Sequence, residues 1–483
     1  MTKKGLFLRK SMHAHFDQVE EGEHALKRHL GPFHLTAIGI GAIIGAGIFV
    51  IVGQAAASYA GPAVVLSFII AAVICLLAGL CYAELSSMIP IAGGSYAYSY
   101  VAMGEFVAWI VGWTLTAQYI ISASTVAVGW SGYFVSLMSD FGVVLSDAFT
   151  KAPLDHQPGQ GWVWTGSIVN LPAVILVAFL SVMISFGIRV VSYFNNVMVV
   201  IKISTIILFI ILGITFINTA NWTPFIPENT GQFGQFGWSG IIRGAGLVFF
   251  AYIGFDTVST LALDAKNPQR DLPKGILGSL GIATIAYVAT ALILTGVVSY
   301  TLLGVPDPMS VALNAMGTKF FWLNFIVKLA ILAGLASVVL IQLLGQTRVF
   351  LAISKDGLLP KPFGHVNRKI KTPVFGALIT MIVAFVAAGM FPVAVLGELV
   401  SMSTLFLFAI VCLGVLILRK THPEHKRTFK VPLVPFVPGL GVIFCVAQMC
   451  FLPLLTWVEF LCWLAIGLIV YFSYSMKHSK IRA

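Results

Sequence analysis

Apolar runs of 18 or more residues recur from about His34 to Phe472, parted by short polar stretches. A run of that length spans a hydrocarbon core of roughly 30 Å as a helix. No water is present there to satisfy N–H and C=O groups, so the helix is the conformation a single run can adopt. The pattern predicts an all-α integral membrane protein of twelve spans, at about residues 34–58, 62–89, 105–138, 168–186, 191–217, 238–263, 273–300, 321–349, 373–391, 394–418, 432–452 and 456–475. The polar break at 419–431 divides a ten-span core from an appended pair. The predicted units are therefore a segment 1–33, a first five-helix repeat 34–217, a second 238–418, two appended helices 432–475 and a tail 476–483.

Composition agrees with this reading. Of 483 residues 58% are hydrophobic and 10% charged, more apolar surface than a soluble chain of this length can hide. The first 33 residues are polar and lack the n-region, short apolar core and cleavage site of a signal peptide, so the first span is expected to insert uncleaved. The net charge of +11 does not require nucleic acid as a partner. It has its account in alternate loops, where 24 Lys and Arg lie on one side and only Lys151 and Lys319 on the other. That bias predicts both termini on the cytoplasmic side of the cell membrane. The six cysteines all lie in apolar runs without CxxC spacing and read as buried filler, with neither disulfide nor metal.

Five spans per half, an odd number, force the halves into opposite orientation, the geometry of an inverted repeat. The lead helix of each half carries a defect. The first span has Gly39, Gly41, Gly45 and Gly47 within GIGAIIGAGIF, and the sixth reads GLVFFAYIGFDTVST with Gly254 beside Asp256. Each interior glycine costs a helix about 1 kcal/mol relative to alanine, so both stretches invite unwinding. Gly41 and Gly45 also form a GxxxG pair, which by itself serves close helix packing. If both helices unwind, the N–H groups of Gly45, Ala46 and Gly47 face a carboxylate at a helix N-terminus. The carbonyls near Ile43, Phe250, Ala251 and Ile253 then accept an α-ammonium. Such a cradle grips the constant part of an amino acid.

Buried polar side chains are informative in a membrane. Lys202, in NNVMVVIKISTII, sits too deep to snorkel easily. When protonated it can bind the carbonyl end of the first half-helix, and losing the proton would loosen that contact and couple transport to H+. The alternative is a fixed structural cation. Asp256 either caps the second half-helix or acts in gating. Gln118 and Gln342 either line the pocket or join helices. Lys328 and Arg243, nearer span ends, are expected to snorkel.

GIGAIIGAGIFV, CYAELSSMIPIAGGSYAYSY, VGWSGYF, FFAYIGFDTVST, KNPQRDLPKGI and GQTRVFLAISKDGLLPK occur in this order. By these stretches the chain, from about Gly31 to Lys477, resembles the amino acid–polyamine–organocation superfamily, and within it the bacterial homologues of cationic amino acid transporters. The resemblance implies the LeuT-like five-plus-five fold with two extra helices, proton-driven amino acid uptake, and no cofactor. It implies carboxylate binding at Ile43, Gly45, Ala46 and Gly47, amine binding at Phe250, Ala251 and Ile253, and Lys202 in place of a sodium ion. Similar proteins often carry an acid where Gln118 stands, and a residue tuning side-chain size where Gln342 stands. Their paired acids before the NPQ motif appear here as Leu263 and Asp264. These departures point to a small or neutral amino acid. The partners expected are the solute, a proton and lipid, with room for a small membrane helper peptide. Competing readings are a sodium-coupled symporter, an exchanger, a channel, and an intramembrane hydrolase suggested by GWSG at 129–132 and 237–240.

Overall fold

A computed structural model describes residues 5–9, 30–89, 93–157, 161–184, 188–262, 265–317, 321–366, 373–425 and 427–482, without the side chains of 188–193 and 321–322. Most of the predicted segment 1–33, Lys319, Leu263 and Asp264 lie outside the described residues. Among the described residues eight helices are long and apolar enough to cross a membrane, and four shorter apolar helices accompany them. Large apolar side chains such as Ile285 and Ile469 point outward, as lipid-facing positions do.

Helix α1 (Pro32–Ile43) starts on a proline, whose missing N–H costs nothing in a first turn. Twelve residues rise only about 18 Å, so α1 stops well short of a full crossing. The chain resumes as α2 (residues 47–60), which alternates π and α geometry. Then follow α3 (Val64–Met88), α4 (Gly94–Ala102) and α5 (Glu105–Asp140). A short antiparallel pair, β1 (Leu154–Gln157) and β2 (Gly161–Trp164), precedes α6 (Leu171–Ile184) and α7 (Ile188–Gly213). The second half holds α8 (Gly237–Val248), α9 (Pro268–Val297), α10 (Pro308–Ala315), α11 (Phe321–Lys355), α12 (Val374–Met390) and α13 (Val393–Thr421). The chain closes with α14 (Phe436–Cys450) and α15 (Leu454–Val470). The hairpin, α4 and α10 were not expected. They are short elements in segments whose apolar runs are too brief to register as spans.

Helix α5 packs along α11, α9 packs against α1 and α3, and α13 lies between α5 and α14. Several glycines permit these contacts. A Cβ on Gly41 would collide with Val199 of α7, so part of the GxxxG signal is indeed close packing.

The charged residues correct two expectations. Arg243 does not snorkel. It is buried and pairs with Glu398 of α13, whose other oxygen accepts from Thr456 (3.2 Å). Lys328, 2% exposed, pairs with Asp140 at 2.6 Å. Both find an acid on a neighbouring helix, which removes the need to reach water. The cysteines correct a third. Cys75, Cys81, Cys412 and Cys445 are buried, but Cys450 and Cys462 are exposed on outward faces of α14 and α15.

Two buried acids tie polar segments to the helices. Glu105 accepts from Tyr471 (2.8 Å), Arg482 (2.8 Å) and Ser479, and its N–H donates to Leu8 (2.9 Å), so segment 5–9 and the tail meet on one patch. Glu84 accepts from Nε and Nη2 of Arg419 (2.8 and 2.7 Å) and from the Val431 N–H (2.7 Å), with Arg427 3.2 Å away. The polar break expected to part core from appendage is thereby folded back onto α3. Removing one partner of a buried ion pair leaves the others uncompensated, at a cost of about 3–5 kcal/mol. Glu84→Gln is therefore expected to lower thermal stability in detergent micelles by at least several degrees. An unchanged melting temperature would show that Glu84 does not anchor the 419–431 segment.

Candidate functional site

The first break lies at residues 44–46. Ile44 still donates to Ile40 (2.9 Å), but its ψ of 103° takes the chain out of the helix. Gly45 then accepts from Phe49 (3.4 Å), and the helix restarts with a π turn at Gly47–Ile51. The second break follows α8. A 3-10 turn over Phe249–Tyr252 ends at Ile253, which is extended, and Gly254 has φ of +125°. A second 3-10 stretch, Phe255–Leu261, resumes the path. Positive φ is open to glycine at little cost. Both breaks thus fall where the glycine clusters predicted unwinding.

The breaks touch each other. A Cβ on Gly47 would collide with the Cα and Cβ of Ala251, and one on Gly254 would sit 2.7 Å from the Ala42 carbonyl. Only glycine lets the two backbones approach so closely. Between them and α5 and α11 lies a narrow cavity. It is bordered by Ala42, Ile43, Gly45, Ala46, Gly47, Ser122, Val126, Phe250, Ile253, Val338 and Gln342. It has room for about one water.

Most expected residues therefore gather here. Ile43, Gly45, Ala46, Gly47, Phe250, Ile253 and Gln342 border the cavity, and Ala251 backs Gly47. The first turn of a helix leaves N–H groups without intrahelical partners, and the helix that restarts at Gly47 begins at the cavity border. Gln118 does not border it. It lies one turn along α5 from Ser122 and close to Asp256. Asp256 accepts from the Gly254 N–H at 3.2 Å, closing the turn at the break. The bond reaches back to the residue that precedes the second 3-10 stretch.

Lys202 is fully buried in α7. Its ammonium donates to the Gly41 carbonyl and, at 3.0 Å, to that of Ile44. A cation at a helix C-terminus meets both the helix dipole and carbonyls that have lost their helical donors. Gly334 of α11 makes room for the lysine stem, since a Cβ there would lie 3.3 Å from that of Lys202.

Sequence reasoning missed Tyr287 of α9. Fully buried, its hydroxyl lies 2.8 Å from the Ile43 carbonyl and 2.7 Å from that of Ala251. It cross-ties the two breaks. It also occupies two carbonyls that were expected to receive an ammonium. Phe250 likewise accepts from the Ile253 N–H (3.2 Å). A hydroxyl has a single hydrogen, so one of Ile43 and Ala251 retains acceptor capacity at any moment. The available signal was a polar tip midway along the apolar run IATIAYVATALIL.

The GWSG serines have structural partners. Ser131 donates to Asn170 (2.6 Å), and Ser239 accepts from Asn229 (3.0 Å). Neither contact supplies a general base. Among the described residues no group of His, Cys, Asp and Glu could hold a metal ion.

Residues 30–472 match the amino acid permease family. The chain is 44% identical over 457 residues to the methylthioribose transporter of Bacillus subtilis (strain 168), covering 95% of each chain. It is 41% identical over 480 residues to the branched-chain amino acid permease BcaP of the same organism, covering 99% of each. With the vacuolar cationic amino acid transporter 4 of Arabidopsis thaliana it shares 36% identity over 84% of this chain and 65% of that one. The family and these relatives are transporters, which disposes of the hydrolase reading. By the extent of the match and the identities, this chain belongs to the amino acid permease family.

Proposed function

We propose that the protein is a proton-coupled symporter that imports neutral amino acids across the cell membrane by alternating access. In this reading twelve spans form a five-plus-five inverted repeat with two appended helices, and both termini are cytoplasmic. One observation carries the proposal: two broken helices meet at a single cavity, and a buried lysine caps the carbonyl end of one of them. The cavity offers N–H groups at Gly45, Ala46 and Gly47 to a carboxylate, and carbonyls at Ile43, Phe250 and Ile253 to an ammonium. The meeting of segment 5–9 with the tail at Glu105 supports a common side for the termini.

A neutral side chain is favoured by the lining. Val126, Val338 and Ala42 are apolar, Ser122 and Gln342 are uncharged, and among the described residues no acid borders the cavity. A cationic side chain would need one. The likeness to a branched-chain permease over almost the whole chain points the same way. A second reading, transport of methylthioribose, is favoured by the likeness to the methylthioribose transporter. The zwitterion cradle weighs against it, because a sugar derivative without an ammonium would leave the carbonyls of the breaks unmatched.

Protonated Lys202 holds α1 to α7 through two charge-assisted hydrogen bonds. Loss of the proton removes both and frees α1 to move, which links the proton to the conformational cycle. The same ammonium stands where a cation would bind at the carbonyl end of α1, which weighs against sodium coupling and against an exchanger that carries no ion.

In proteoliposomes an inward proton gradient is expected to drive uptake of labelled leucine or valine, in preference to lysine and methylthioribose. Lys202→Met should abolish that dependence. Accumulation driven by a sodium gradient alone would refute the coupling. Gln342→Ala should admit bulkier side chains, seen as stronger competition by phenylalanine; an unchanged competition profile would remove Gln342 from the pocket. Tyr287→Phe leaves the Ile43 and Ala251 carbonyls untied and should weaken leucine binding about tenfold, or about 1.4 kcal/mol. Wild-type affinity in that variant would mean the cross-tie is not needed for binding.

A further inference from the structure

Helices α5 and α11 face each other in antiparallel register. A Cβ on Gly112 would lie 2.8 Å from Ile353, and one on Gly345 2.9 Å from Tyr119. Residue 112 is thus level with 353, and 119 with 345. Val126 and Val338, then Ser122 and Gln342, form two successive levels that border the central cavity. Residues four apart share a helix face, so the same register brings Gln118 level with Gln346 one turn further, about 6 Å towards the Glu105 end of α5. Gln118 is 1% exposed and Gln346 fully buried.

These glutamines differ from ordinary core residues. Neither amide atom of Gln118 and neither of Gln346 has a hydrogen-bond partner. Buried polar groups are nearly always paired, and each unpaired one is destabilising. Leucine would fill much the same volume without that cost. The Asp256 carboxyl, 4% exposed, lies near enough to Gln118 to interact with it, though outside hydrogen-bond geometry. The level therefore holds four unused amide atoms and one acid, next to a cavity lined by the breaks.

We propose that Gln118, Gln346 and Asp256 form a second binding station for the transported amino acid, one turn beyond the central cavity on the Glu105 side. This inference rests on the reading of the central cavity as the primary site. The amide N–H groups donate to the solute carboxylate. The amide oxygens and Asp256 accept from its ammonium. Without such a station the zwitterion would leave the N–H and carbonyl groups of the breaks for a level that offers the Asp256 carboxyl alone in place of that acid and two amides. With it, one set of polar partners is exchanged for another within a single helical turn.

The test uses the full-length protein, with labelled leucine as probe. The double variant Gln118→Leu/Gln346→Leu should hold leucine at equilibrium within about twofold of wild type. Its leucine counterflow in proteoliposomes should slow about tenfold. Its melting temperature should stay level or rise, because unpaired buried amides have been removed. The double variant Gln118→Asn/Gln346→Asn, which keeps the amides, should recover counterflow to within about threefold. Wild-type counterflow in the leucine variant would overturn the station, as would equal losses in binding, counterflow and melting temperature, which mark a structural role. A wild-type protein that binds no amino acid would overturn the central site and the station together. Leucine binding by wild type with intact counterflow in the leucine variant overturns the station alone.

Discussion

Every backbone amide placed inside a membrane needs a partner, and breaking a helix there creates a debt of unpaired groups. The site of this protein is organised by how that debt is met. At the end of α1 the carbonyls of Gly41 and Ile44 take the Lys202 ammonium, and that of Ile43 takes the Tyr287 hydroxyl. At the second break the Ala251 carbonyl shares that one hydroxyl hydrogen with Ile43, and Asp256 serves the Gly254 N–H. What is left over faces one cavity.

This arrangement also ties the breaks to their neighbours. Lys202 lies on α7 and Tyr287 on α9, so the first break is held by two neighbouring helices and shares one of them with the second. A change at either contact alters how α1 sits against the rest. The close approach of Gly47 to Ala251 and of Gly254 to Ala42 means that one break cannot shift far without the other. Packed contacts of this kind transmit displacement because interiors are dense.

Residues that violate their surroundings were legible in the sequence. Lysine in NNVMVVIKISTII, and four glycines in two turns, stand out without any structure. Lateral neighbours were not legible. Hydropathy fixes roughly how deep a residue lies, but not which helix it faces. Arg243 and Glu398 are 155 positions apart, so their pairing left no local trace. Gln118 and Gln342 are alike in the sequence, and only the structure puts Gln342 at the cavity and Gln118 one turn along α5 from Ser122. Tyr287 passed unnoticed since one tyrosine in an apolar run is ordinary. Cys450 and Cys462 show the same limit, as membership of an apolar run does not distinguish the lipid face from the interior.

The smallness of the central cavity has a consequence for its occupancy. A space that admits about one water cannot hold a file of water molecules. Val126, Val338 and Phe250 border it together with the breaks. Anything as large as an amino acid could enter only if the elements around the breaks moved apart.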